Sequence, residues 1–84
     1  MVEVTHLLGD ALGLHARPAV LLASEARKWG SDVRVRCGAR TADGKDPMAL
    51  MALEACAGDE LRLSVEGPDE AACAHALTKV LADL

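Results

Sequence analysis

The residues with the most chemical potential in this 84-residue chain lie in one short run, Gly13-Leu14-His15-Ala16-Arg17-Pro18-Ala19. Their types and spacing suit reversible attachment of a phosphoryl group to an imidazole. Gly13 turns the backbone, and His15 supplies a nitrogen nucleophile. A helix that starts just after His15 places that ring at its N-terminus, where the first backbone N–H groups have no intrahelical partner. Those N–H groups and the helix dipole favour an anion, so the backbone of Ala16 and Arg17 is a candidate phosphate cradle. Pro18 costs little in a first turn, because an N–H there would have no helical acceptor. Arg17 adds a permanent charge and a forked donor suited to phosphate oxygens. A histidine simply tolerated at a helix start has the same local sequence, so the weight of the run depends on the rest of the chain.

Composition narrows the classes. The length fits one small domain spanning residues 1–84. The chain is 51% hydrophobic with one Trp and no Phe or Tyr, so Ala, Leu and Val must fill the core. A net charge of −4 and the lack of aromatic stacking residues argue against nucleic acid. No apolar run approaches the roughly 18 residues of a membrane span. The N-terminus carries no signal-peptide pattern, so a cytoplasmic protein is expected, with no membrane insertion. Cys37, Cys56 and Cys73 are odd in number and lack CxxC spacing, which points to small apolar residues rather than disulfides or zinc ligands. His6, His15 and His75 have no ligand-like spacing, so no metal is expected. There is no nucleophile–base pair, paired-carboxylate signature or nucleotide-binding glycine loop to support an independent hydrolase or transferase.

The elements that must position the run follow from periodicity. Residues 1–8 alternate, with Val2, Val4, His6 and Leu8 on one face of a strand. A helix is predicted over 16–29. Ala16, Ala19, Val20, Ala23 and Ala26 form its buried stripe, Arg27 and Lys28 its last turn, and Gly30 its C-terminal cap. A strand over 32–37 turns at Gly38 into a return strand over 39–42. Asp46-Pro47 is a cap followed by a favoured first helical residue, opening a short helix to about residue 55. Its content is apolar all round, so either it is all core or Met48 and Met51 form an exposed, adaptable docking patch. Residues 60–66 alternate as a strand. Gly67-Pro68-Asp69-Glu70 opens a last helix with Ala72 or Cys73, Ala76, Leu77, Val80 and Leu81 inward. The order β-α-β-β-α-β-α predicts a two-layer α+β sandwich with helices on one face of an antiparallel sheet.

With that order established, the chain resembles, almost end to end, the HPr family of histidine phosphocarriers of the bacterial phosphoenolpyruvate:sugar phosphotransferase system. The resemblance rests on GLHARPA, on residues 44–51 (GKDPMALM beside the family run GKSIMGVM), on the turn Ala57-Gly58-Asp59-Glu60 and on the EGPDE opening of the last helix. It implies a four-stranded sheet of order 1-4-2-3 with three helices on one face. It implies that enzyme I, using phosphoenolpyruvate, phosphorylates His15 on Nδ1 and that His15 passes the group to EIIA-type proteins, with Arg17 stabilising it. It implies a docking face formed by Val20, Leu21, Ser24 and Arg27 of the first helix and Met48, Ala49 and Met51 of the second. No cofactor is implied, and the family default is a monomer.

Three positions depart from the family pattern. Asp46 stands where many members carry a regulatory serine and cannot accept that phosphate. It is either a plain helix cap in a carrier without kinase control or a fixed imitation of the phosphorylated serine, with a smaller charge than phosphoserine. Pro47 replaces an aliphatic residue of the docking patch. Leu12 replaces a small polar residue and removes a side-chain hydrogen bond beside the His15 loop. The reading reached is a phosphocarrier. The alternative is a non-catalytic regulatory docking module whose working surface is Asp46 with Met48 and Met51.

Overall fold

Alternating apolar and polar residues, punctuated by Gly, Pro and Asp, fold into seven elements. They are β1 (Val2–Leu7), α1 (Ala16–Ala26), β2 (Asp32–Cys37), β3 (Arg40–Asp43), α2 (Pro47–Ala52), β4 (Glu60–Glu66) and α3 (Glu70–Ala82). A computed structural model describes residues 1–84. The four strands form one antiparallel sheet in the order β1-β4-β2-β3, as the resemblance implied. β4 is central: it pairs with β1 from Val2↔Val65 to Leu7↔Glu60 and with β2 from Asp32↔Glu66 to Arg36↔Arg62. Val33, Val35, Ala42, Leu61, Leu63 and Val65 point to one face and are buried there. The other face carries Arg34, Arg36 and Arg62 and is open. This is the period-2 division of a sheet covered on one side.

All three helices lie on the buried face. α3 covers β1 and β4, α2 lies on β3, and α1 packs against both other helices. The core is 19 residues of Leu, Val, Ala and one Cys. Fully buried Leu22, Leu50, Leu61, Leu63 and Leu77 dominate it, each contributing about 1.5–3 kcal/mol through lost apolar exposure. No helix is long and apolar enough to cross a membrane.

Several boundaries and faces differ from expectation. α1 ends at Ala26 rather than residue 29, because the chain tightens: the N–H groups of Lys28 and Trp29 donate three residues back, to Glu25 and Ala26. Arg27 is therefore the C-cap and Lys28 lies beyond the helix. Gly30 is not the left-handed cap. Its N–H donates to Asp69 Oδ2 at 2.9 Å, beside the Ser31 N–H on Oδ1 at 2.9 Å and the Ser31 hydroxyl. The buried stripe of α1 is Pro18, Ala19, Leu22, Ala23 and Ala26; Ala16 and Val20 face outward. The rotation puts Leu22 rather than the smaller Val20 in the core. β3 is shifted one residue to 40–43, and α2 stops at Ala52. Pro68 precedes α3 instead of opening it, and Cys73, Ala74, Leu77 and Leu81 form its buried face, with Ala72 exposed. Of the three free thiols only Cys73 is buried; Cys56 is exposed and is not a core residue.

Asp69 fastens the turn after α1 to the start of α3. The Ser31 hydroxyl, followed by the Gly30 and Ser31 N–H groups, holds its carboxyl below the usual carboxylate range. A carboxyl lowered on folding adds stability above its unfolded pKa, about 4, and loses that contribution as pH falls through the lower folded value. Asp69→Asn should therefore lower the urea midpoint at neutral pH, and the gap to the native chain should close as the solution is taken below about pH 4.

Candidate functional site

The site begins with a turn. Gly13 has φ +67°, a left-handed conformation that L side chains rarely adopt. A Cβ there would lie 2.2 Å from the Ala55 carbonyl oxygen. Without one, the Leu14 N–H reaches that carbonyl at 3.0 Å and the Leu14 side chain enters the core. The next residue, His15, is extended (φ −87°, ψ −171°) and becomes the N-cap of α1, its carbonyl accepting the Ala19 N–H at 3.0 Å. Its side chain makes no capping bond and is 33% exposed, so the ring is not committed to the cap.

The backbone N–H groups of Ala16 and Arg17 have no acceptor in the protein, as the first positions of a helix require. Pro18 is buried and contributes no N–H. His15, Arg17, Pro18 and Leu21 line one shallow cleft of about 110 Å³ with Asp10, Asp83 and Leu84. His15 and Arg17 thus share this cleft at the start of α1, where the first two N–H groups of the helix are unpaired. A larger cleft, about 800 Å³, lies between residues 36–40 and 53–62 and shares no residue with this one. Of its three arginines, Arg40 and Arg62 are paired with Glu54 and Glu60, at 2.7 and 3.2 Å, and Arg36 makes no ion pair. Burial pushes the Cys37 thiol on its edge up, away from the thiolate. His15 and Arg17 lie in the small cleft, not in the large one.

Asp10 was not legible as a site residue. Its Oδ2 lies 3.2 Å from His15 Nε2, its Oδ1 accepts the Leu12 N–H at 2.9 Å, and its carbonyl accepts the Gly13 N–H at 2.8 Å. The Leu12 N–H and then the ring hold its carboxyl below the usual carboxylate range. The only available signal was an Asp between two glycines, five residues before the histidine, which reads equally well as an ordinary turn.

The predicted docking residues fall on two adjoining helices. Val20, Leu21 and Ser24 are exposed on α1, and Met48, 71% exposed, stands at the start of α2, whereas Ala49 and Met51 are half-buried. Arg27 is exposed but engaged: its Nε donates to the Lys45 carbonyl at 2.7 Å, tying the end of α1 to the entry of α2. Leu12, 75% exposed on the His15 loop, extends the apolar surface. Asp46 is the N-cap of α2, its Oδ1 accepting the N–H groups of Met48 and Ala49 at 3.0 and 3.3 Å, with Pro47 at the first helical position. No group of three or more His, Cys, Asp or Glu side chains is placed to hold a metal ion.

A two-layer sandwich with a histidine and an arginine in one shallow cleft at a helix start, where the first N–H groups are unpaired, has features that suit a small anion beside an imidazole. The family described as PTS HPr component phosphorylation site matches residues 2–83. A phosphocarrier protein HPr of Treponema pallidum is 36% identical over 80 residues, 95% of this chain and 90% of that protein. A multiphosphoryl transfer protein of Xanthomonas campestris is 39% identical over 72 residues, 86% of this chain and 9% of that protein. A solved Mycoplasma histidine-containing phosphocarrier protein superposes with a TM-score of 0.95 at 29% identity, covering 98% of this chain and 93% of that one. The chain belongs to the HPr family of phosphocarriers of the phosphotransferase system.

The cap geometry at position 46 has a stability consequence. Asp46→Ala should cost about 1 kcal/mol, whereas Asp46→Ser, an equally good cap, should cost only a few tenths, both read from urea unfolding.

Proposed function

We propose that His15 accepts a phosphoryl group from phosphorylated enzyme I, which draws it from phosphoenolpyruvate, and passes it to EIIA-type proteins. The observation that carries this reading is the His15 ring at the N-cap of α1, sharing a cleft with Arg17 at a helix start whose first two N–H groups are unpaired. In this role the Ala16 and Arg17 N–H groups receive phosphoryl oxygens, and the Arg17 guanidinium offsets the charge that builds on them during transfer. Exposed Val20, Leu21, Ser24 and Met48, with Arg27, Ala49 and Met51 at the edge, form the face on which donor and acceptor proteins dock in turn. Both would approach the same open cleft, which fits a group that is received and then given away. The carrier works in the cytoplasm as a single domain and as a monomer, and transfer needs no cofactor on this chain.

The regulatory docking reading gains no support at Asp46, whose carboxylate is engaged in capping α2. The capping role accounts for this residue without any imitation of phosphoserine.

Labelled phosphoenolpyruvate with enzyme I tests the proposal. The native chain should acquire an acid-labile, base-stable label, and His15→Ala should acquire none. Arg17→Ala should keep the fold and lose on the order of a hundredfold in transfer rate, the usual loss when one donor to a developing oxyanion is removed. No label on the native chain, with enzyme I active on a control carrier, would sink the reading.

A further inference from the structure

Only one of the two nitrogens of His15 can be the nucleophile, and which one is decided by where the ring proton sits. In a neutral imidazole one nitrogen is N–H and the other holds the lone pair, and the partner of the first sets the second. Here Nε2 faces Asp10 Oδ2 at 3.2 Å, the one hydrogen bond the ring makes. An ionised carboxylate can only accept, so Nε2 carries the hydrogen and the lone pair falls on Nδ1. The carboxylate is itself held in place. Oδ1 takes the Leu12 N–H at 2.9 Å, and the Asp10 carbonyl takes the Gly13 N–H at 2.8 Å. Leu12 offers no side-chain donor or acceptor to the ring. The other charged side chains lining the cleft, Arg17 and Asp83, make no hydrogen bond to it.

We propose that Asp10 is the positioning residue of the transfer site: it holds His15 in the Nε2–H tautomer and so presents Nδ1 as the nucleophile. The proposal rests on the carrier reading above. As transfer proceeds, the Nδ1 lone pair forms the N–P bond while the donor's bond to phosphorus breaks and its electron pair leaves with the donor. The ring keeps its Nε2 hydrogen and gains positive charge, which faces the Asp10 carboxylate. On the outward step the N–P electron pair returns to Nδ1 as an acceptor group bonds to phosphorus. Because Nε2 is still protonated, the ring departs as a neutral imidazole rather than as an anion. One carboxylate therefore assists both directions of a reversible carrier.

The test compares the full native chain with Asp10→Asn and Asp10→Ala. It uses 15N spectra of the imidazole at about pH 8.5, above the ordinary histidine range, and initial rates of phosphoryl acceptance from enzyme I. An asparagine can keep its oxygen on the Leu12 N–H, but its NH2 then meets Nε2 and favours the opposite tautomer. The native spectrum should show a protonated Nε2 and a bare Nδ1. Asp10→Asn should move the proton towards Nδ1 and slow acceptance by on the order of a hundredfold, as expected when a histidine is held in the wrong tautomer. Asp10→Ala frees the ring to sample both tautomers and should fall between. A role confined to the turn predicts the reverse order, because Asn keeps the Leu12 bond and Ala does not. Asp10→Asn as fast as Asp10→Ala or faster, or nitrogen spectra unchanged by both substitutions, would overturn the proposal. If the native chain accepts no phosphoryl group while a control carrier does, the carrier reading fails instead, and the spectra alone decide the Asp10 contact.

Discussion

The approach of the Gly13 turn to the Ala55 carbonyl sets the geometry of the working end of the molecule. A side chain at residue 13 would occupy the space of that oxygen, so the contact exists only because the residue is glycine at φ +67°. It directs consecutive residues to opposite fates. Leu14 goes into the core, and His15 stays at the surface as the first cap of α1. Because α1 then packs on both α2 and α3, the same contact places the helix dipole, the free N–H groups and the start of the proposed docking face.

The site is open to water. Its cleft is shallow, its ring one-third exposed, and its arginine outside the core. Electrostatic interactions in such a place are screened by water and far weaker than in a closed pocket. On the proposed carrier reading this openness helps, because a group held too tightly cannot be passed on. Two short-range fields meet at His15. Unpaired helix N–H groups lie at the start of α1 next to His15, and the Asp10 carboxylate faces Nε2 of the ring. The N–H groups favour negative charge and the carboxylate favours positive charge, which is the polarity the proposed phosphorylated ring would have.

α2 shows how a six-residue helix is kept in place when it could not persist alone. Asp46 caps it, Pro47 pre-sets its first turn, Leu50 anchors it in the core, and the Arg27–Lys45 bond joins its entry to α1. With those four constraints satisfied, Met48 can stand in solvent. The core beneath contains no Phe or Tyr, and the small residues Ala19, Ala23 and Ala26 form most of the α1 contact face. Side chains of that size let α1 lie close to its neighbours, so the exposed residues of the proposed docking face sit on a closely packed pair of helices.

The order of elements, the sheet strands β2 and β4, the helix start after His15 and the cap at Asp46 were all legible in the sequence. Each is decided by neighbours within a few residues: alternation, a turn-forming glycine, an Asp-Pro step. The orientation of α1 was not, because alanines recur on two overlapping stripes and only packing reveals that Leu22 outweighs Val20. Nor was the end of α1, where Gly30 looked like a cap but is held by Asp69, 39 residues later. Asp10 is the sharpest case. Its sequence neighbours mark it as a turn residue, and local propensity has no means of aiming a carboxylate at a ring. That contact needs the turn folded onto Ala55 first, so the sequence by itself determined that a histidine would sit at a helix start, and only the tertiary structure decided which of its nitrogens faces a charge.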